Sequence, residues 1–129
     1  MQEGNQQIVE DFLKHRNELS DDIMADVEKM LGVMPFIFPV MRERADTFVL
    51  SALADYKTGR PEYLSPKIAE LIAIAAAAGA GADNCLKVHI GAAQKEGATR
   101  EEILDTILIA AMIGRTKILA AALRMLPAR

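Results

Sequence analysis

The stretch that most clearly decides the fold is SPKIAELIAIAAAA, residues 65–78. Ser65 can cap the first helical turn with its hydroxyl, and Pro66 suits the first helical position because the N–H that it lacks would be unpaired there. The body of the segment is apolar nearly all round except for Glu70, which predicts a fully buried helix. We expect Gly79 and Gly81 to break it.

The rest of the chain shows helical spacing of apolar residues and no strand-like alternation, so the predicted fold class is all-α. Ser20 is expected to cap the second helix and Gly32 to end it, while Thr99 and Glu102 have the spacing of a capping box. Gly114 is expected to separate the last two helices. The predicted helices cover about residues 5–17, 20–31, 40–56, 65–78, 83–96, 99–112 and 117–126, with a connector at 33–39 and a loop at 57–64.

Length, composition and net charge limit the number of domains and the classes of partner that we expect. A chain of 129 residues suffices for one domain, which we predict to span residues 1–129. The chain is 51% hydrophobic, more than a small monomer hides easily, so we expect a homo-oligomer. The net charge of -3 is spread along the chain and there is no Trp, which argues against nucleic acid as a partner.

Targeting signals and the number of cysteines limit the cellular location and the kinds of site that we expect. Residues 1–5 have neither the basic nor the apolar region of a signal peptide, and the longest apolar run, residues 71–82, is too short to cross a membrane. We therefore expect a soluble, cytoplasmic protein without a membrane partner. The single cysteine, Cys85, excludes an intramolecular disulfide and a multi-cysteine metal site.

Three residues on two consecutive predicted helices are the candidates for chemistry. Cys85 lies in the first turn of its helix, where free N–H groups favour a thiolate, although Asp83 opposes it unless that carboxylate caps the helix. His89 lies four residues on, within reach to accept the thiol proton. Glu70 is a lone carboxylate in an apolar helix, so it needs a polar partner, and His89 is the natural candidate.

Each of the three also has a structural interpretation. A lone cysteine in an alanine-rich helix is more often a small core residue than a nucleophile, and a lone histidine is more often a satisfied structural group. Glu70 could instead form a salt bridge with Lys87 or Arg100. Only the combination of an i,i+4 Cys/His pair with a carboxylate on the neighbouring helix favours a catalytic site.

Residues 64–102 resemble the carboxymuconolactone decarboxylase family, which includes alkylhydroperoxidase D. The resemblance rests on Glu70, on the motif NCLKVH at residues 84–89 and on GATREEI at residues 97–103. It implies an alkylhydroperoxidase D-like bundle of about six helices that assembles as a homo-trimer or homo-hexamer, with the active site close to subunit contacts. We expect no cofactor and no metal.

The two branches of that family differ from this chain in different ways. The peroxidase branch has a Cys-x-x-Cys pair served by a glutamate and a histidine; by position Glu70, Cys85 and His89 match, but Ala82 stands at the first cysteine. An external thiol, or Cys85 of another subunit, would then have to resolve the oxidised cysteine. The decarboxylase branch usually has a glutamate at Cys85 and a basic residue at Gly91.

Three hypotheses remain open. The leading one is a thiol oxidoreductase acting on a hydroperoxide or small disulfide, with Cys85 as nucleophile, His89 as base and Glu70 as the orienting and proton-passing group. The second is a lyase or isomerase on a small lactone or carboxylate, in which His89 and Glu70 move protons and Cys85 only lines the pocket. The third is a non-catalytic oligomeric member of the family.

Overall fold

A computed structural model describes residues 1–129 as helices joined by short turns, with no strand, which confirms the all-α fold. Six helices have 12 to 24 residues, in agreement with the number of about six that the family resemblance implies, and a seventh has five. The chain divides into two compact units, residues 1–60 (unit 1) and residues 61–129 (unit 2), which are described separately. The single domain over residues 1–129 stays a prediction.

Unit 1 contains four helices and a short 3₁₀ turn. The elements are α1 (Glu3–Lys14), α2 (Arg16–Leu31), α3 (Ile37–Met41), the 3₁₀ turn Arg42–Arg44 and α4 (Ala45–Gly59). Helix α2 packs against α4, and Phe48 and Val49 of α4 are fully buried. The ring of Phe38 meets that of Phe48 edge-on, with centroids 5.7 Å apart.

Several predicted boundaries in unit 1 are wrong. Ser20 does not cap a helix: it lies inside α2, fully buried, and its Oγ donates to the carbonyl of Arg16 at 2.6 Å, a bond that a serine can make within a helix. The break between the first two helices falls at His15. The connector at 33–39 contains the start of α3, because Pro39 lies in a first turn where its missing N–H costs nothing. Gly32 ends α2 at a φ of 74°, as predicted.

Unit 2 consists of three helices around one core. They are α5 (Pro66–Ala80), α6 (Asp83–Lys95) and α7 (Arg100–Leu123), and α5 packs against both of the others. The buried centre of this core is formed by Ile74, Ala93, Ala98 and Ile103. The caps at Ser65 and Thr99 are as predicted, including both hydrogen bonds of the capping box.

Two glycines in unit 2 do not end helices. Gly79 lies inside α5, which ends at Gly81 with a φ of 67°, and Gly114 lies inside α7, so the two predicted closing helices are one. A glycine costs a helix interior only about 1 kcal/mol, which continuous hydrogen bonding on both sides can offset. Nor is α5 fully buried, since Ile68 and Ile72 are exposed.

Helix α7 is the one helix of the structure that is long and apolar enough to cross a membrane. Its mean hydropathy reaches 1.7 over an 18-residue window. By length and composition alone this is weak evidence, because helices of soluble proteins pass the same test. The expectation of a protein without a membrane partner stays a prediction.

Candidate active site

Glu70 and His89 form the centre of the candidate site. Helix α5 directs Glu70 to its buried face, where the carboxylate is only 2% exposed. Nδ1–H of His89, on the middle of α6, donates to Oε2 of Glu70 at 2.7 Å. The sequence predicted this contact from the cost of burying an unpartnered carboxylate, and the structure confirms it.

The contact fixes the orientation of the imidazole. With Nδ1–H held by a carboxylate, the other ring nitrogen, Nε2, is the atom left to accept or deliver a proton. The side chain of His89 is 33% exposed, so Nε2 can meet a solute while Nδ1 stays paired with a buried group. A buried carboxylate behind a partly exposed histidine is an arrangement that stabilises the imidazolium formed in general base catalysis.

Cys85 lies in the first turn of α6 and its side chain is exposed. Ala82, the N-cap residue, offers no side-chain acceptor, so the first N–H groups of the helix are left to favour a negative charge nearby. Asp83 makes no capping hydrogen bond either, and its own charge therefore counteracts that effect. Cys85 is not a core residue, contrary to the structural interpretation of a lone cysteine.

The structure does not show the hydrogen bond expected between Cys85 and His89. The two residues are four apart on α6, but Sγ of Cys85 has no hydrogen-bond partner. Proton transfer from the thiol to Nε2 would therefore need a change of side-chain rotamer or a bridging water. The geometry brings together the Glu70–His89 pair and leaves the thiol beside it.

One contact was not predicted from the sequence. Nζ of Lys67, in the first turn of α5, lies 2.8 Å from Oε1 of Glu102, whose other oxygen accepts from the backbone of Thr99. Hydrogen bonding to Lys67, together with that to Thr99, lowers the pKa of Glu102. The contact joins the first turns of α5 and α7, and no local pattern in the sequence pairs residues on different helices.

No group of three or more His, Cys, Asp or Glu side chains is arranged to hold a metal ion. A cleft of about 520 Å³ lies in unit 1, between α1 and the segment around the 3₁₀ turn. It is lined by charges of both signs, among them Glu10, Lys14, Arg42 and Glu43. None of the three candidate residues contributes to it.

The fold and the site together define an all-helical protein in which a buried glutamate pairs with a partly exposed histidine, with an exposed cysteine one turn away. Residues 48–127 match the carboxymuconolactone decarboxylase family, a match that covers more than half of the chain. The chain belongs to that family, as the motifs of residues 64–102 indicate. Comparison with curated proteins and with solved structures gives no match.

Proposed function

We propose that the protein is a thiol oxidoreductase with a single reactive cysteine. The observation that carries the proposal is an accessible thiol in the first turn of α6, one turn before a histidine that is held by a buried carboxylate. An accessible cysteine at a helix N-terminus beside a histidine has the surroundings of reactive rather than structural thiols. Membership of the family supports an enzyme of this kind without deciding the branch.

The reaction needs a hydroperoxide and an external thiol. The thiolate of Cys85 attacks the terminal peroxide oxygen, the O–O bond breaks, and an alcohol leaves with the proton that His89 supplies through Nε2. The sulfenic acid formed condenses with an external thiol, which releases water and gives a mixed disulfide. A second external thiol then releases Cys85 and leaves as the small disulfide. Glu70 stabilises His89 whenever it carries the proton.

The test is peroxide consumption in the presence of a small thiol reductant. Cys85→Ser removes the only thiol of the chain and should abolish turnover, while His89→Ala should lower kcat/KM by roughly 100-fold or more. The matched control is His15→Ala, which removes the other histidine of the chain, an exposed residue of unit 1. If Cys85→Ser is as active as the wild type, or if both proteins are inert, the proposal is wrong.

Ala82→Cys provides a gain-of-function test of the same proposal. Ala82 and Cys85 are the N-cap and third positions of α6, the spacing of a Cys-x-x-Cys pair at a helix start. After one equivalent of peroxide, the variant should form an intramolecular disulfide and lose its need for an external resolving thiol. A sulfenic acid that persists in Ala82→Cys as long as in the wild type would contradict the proposed role of Cys85.

A lyase acting on a small lactone is the second candidate. It is favoured by one observation: the Glu70–His89 pair is complete without any contact from Cys85. Proton transfer by His89 would suffice for such a reaction. Turnover of carboxymuconolactone that survives Cys85→Ala and is lost in His89→Ala would establish this function in place of the first. A thiol that does not react with iodoacetamide at neutral pH, together with no turnover, would indicate a non-catalytic member.

A further inference from the structure

The cleft of unit 1 is charged and separate from the three candidate catalytic residues. It is lined by the end of α1, the start of α2, the 3₁₀ turn and the start of α4. All of its lining residues lie between residues 10 and 46, so it belongs to one compact unit. Its volume of about 520 Å³ lies within the range of small-molecule sites, which is about 300–1,000 Å³. The size of the cleft therefore suits a small ligand.

Four basic side chains line the cleft, and two of them have no carboxylate partner. Lys14 and Arg42 are each paired with an aspartate outside the cleft. Arg16 donates only to a backbone carbonyl three residues earlier, and Arg44 makes no hydrogen bond or ion pair. A guanidinium can bind a carboxylate through two parallel hydrogen bonds. Both arginines thus retain donors for an anion.

Three carboxylates line the same cleft, and none of them forms an ion pair. Glu10 accepts from the side-chain amide of Gln6, and Asp46 accepts from the backbone N–H of the next residue. Glu43 makes no hydrogen bond or ion pair. Although Glu43 and Arg44 are consecutive residues, their side chains do not pair with each other. The cleft therefore presents unpaired charge of both signs.

The stability of the helices does not explain the positions of the two arginines. Arg16 is the first residue of α2, and Arg44 is the N-cap residue of α4. A cation is unfavourable at the start of a helix, because the unpaired N–H groups carry partial positive charge there. An anion bound by these arginines would offset that cost.

We propose that the cleft binds a small zwitterion, namely a free amino acid or a short peptide. The carboxylate of the ligand pairs with Arg16 and Arg44, and its ammonium group pairs with Glu43 and the other carboxylates of the cleft. A simple anion fits less well, since the three carboxylates would repel it. The arginines disfavour a simple cation for the same reason.

Three probes of similar size separate the two charges of the ligand. Glycylglycine carries an ammonium group and a carboxylate, N-acetylglycine only the carboxylate, and glycylglycinamide only the ammonium group. Each probe is added to the full chain while the backbone amide signals are followed by NMR. Glycylglycine should shift signals of residues 10–17 and 42–46 with a dissociation constant in the millimolar range. The other two probes should bind about tenfold more weakly, because each lacks one charge-assisted contact.

Substitutions test which side chains hold each charge. Arg16→Gln with Arg44→Gln should raise the dissociation constant of glycylglycine about tenfold or more, and Glu43→Gln should raise it by a smaller factor. The matched control, Arg115→Gln with Arg124→Gln, removes two exposed and unpaired guanidiniums of unit 2 and should leave the constant unchanged. The spread of the amide signals checks that each variant stays folded.

Three results would overturn the proposal. The first is the absence of shifts around the cleft when glycylglycine is added. The second is binding of either singly charged probe as tightly as glycylglycine, because the cleft would then not recognise both charges. The third is an equal loss of affinity in the arginine variant and in its control.

Discussion

Each unit of the chain buries one notable polar side chain, and the two differ in how they are satisfied. In unit 1, the hydroxyl of Ser20 donates to a carbonyl one turn earlier in its own helix. In unit 2, the carboxylate of Glu70 accepts from His89 on another helix. A polar group satisfied within its own helix needs no tertiary structure, whereas a carboxylate paired across two helices holds a titratable partner in place. Under the proposed function, unit 2 is therefore the unit that would carry the chemistry.

The largest expected effect is on the free energy of unfolding, and it tests whether unit 1 contributes to stability but not to activity. Phe48→Ala removes a fully buried ring and its contact with Phe38, which should lower the free energy of unfolding by about 4 kcal/mol. Below the melting temperature, activity per folded molecule should be unchanged. Denaturant unfolding and turnover of the same sample measure both quantities. Phe36→Ala, which truncates an exposed phenylalanine, is the control and should cost less than about 0.5 kcal/mol.

The second-largest expected effect is on kcat/KM, and it compares variants of the two buried polar side chains, Glu70 and Ser20. Glu70→Gln keeps the shape of the side chain but removes the charge that stabilises a protonated His89, so kcat/KM should fall roughly 100-fold, equivalent to about 2.7 kcal/mol. Ser20→Ala should leave kcat/KM unchanged. Steady-state kinetics of the two variants check this. Equal losses in both variants would show that the contrast between the units is mistaken.

A smaller effect concerns the helix start that carries the capping box. Thr99→Ala removes the hydroxyl that accepts from the backbone N–H of Glu102, which should cost about 1 kcal/mol of stability. Thr116→Ala, an exposed threonine inside α7, should cost less. Thermal unfolding of both variants provides the measurement. If the two variants are equally stable, the capping box does not hold the start of α7.

The smallest effect should depend on pH. Hydrogen bonding to Lys67 lowers the pKa of Glu102 in the folded protein, so the ionised carboxylate adds stability above its ordinary pKa and loses that contribution as the pH falls through the lowered value. Glu102→Gln should therefore lower Tm at about pH 6 and have less effect at about pH 3. The exposed Glu101→Gln is the control. A larger difference at the lower pH would contradict the sign of this linkage.

Local signals in the sequence were sufficient for much of unit 2. The Ser65 cap, the capping box at Thr99 and the pairing of Glu70 with His89 all follow from the neighbouring residues and from the cost of burying a charge. Glycine was a weaker guide: Gly32 and Gly81 adopt a positive φ and end their helices, while Gly79 and Gly114 do not. Residue type alone does not distinguish these cases, because a glycine inside a helix costs only about 1 kcal/mol and hydrogen bonding on both sides can offset that cost.

Contacts between residues far apart in the chain could not be predicted from the sequence. The pair Lys67–Glu102 joins residues 35 positions apart, and only the packing of α5 on α7 brings them together. Cys85 and His89 were predicted to lie on one face of their helix and to come within hydrogen-bonding distance. The spacing along the helix is as predicted, but the side chains do not form the bond, because spacing fixes Cα positions and does not fix the rotamers.

Gly114 divides α7 into two parts, of which only the first is stabilised by packing in the core of unit 2. The half before it includes Ile103 and Ile107, which pack in the core of unit 2. The half after it, residues 115–123, has no buried residue, and a helix of that length is marginal in water without packing. In an isolated chain this half should exchange its amide hydrogens rapidly, whereas the amides of the half that packs in the core should exchange more slowly.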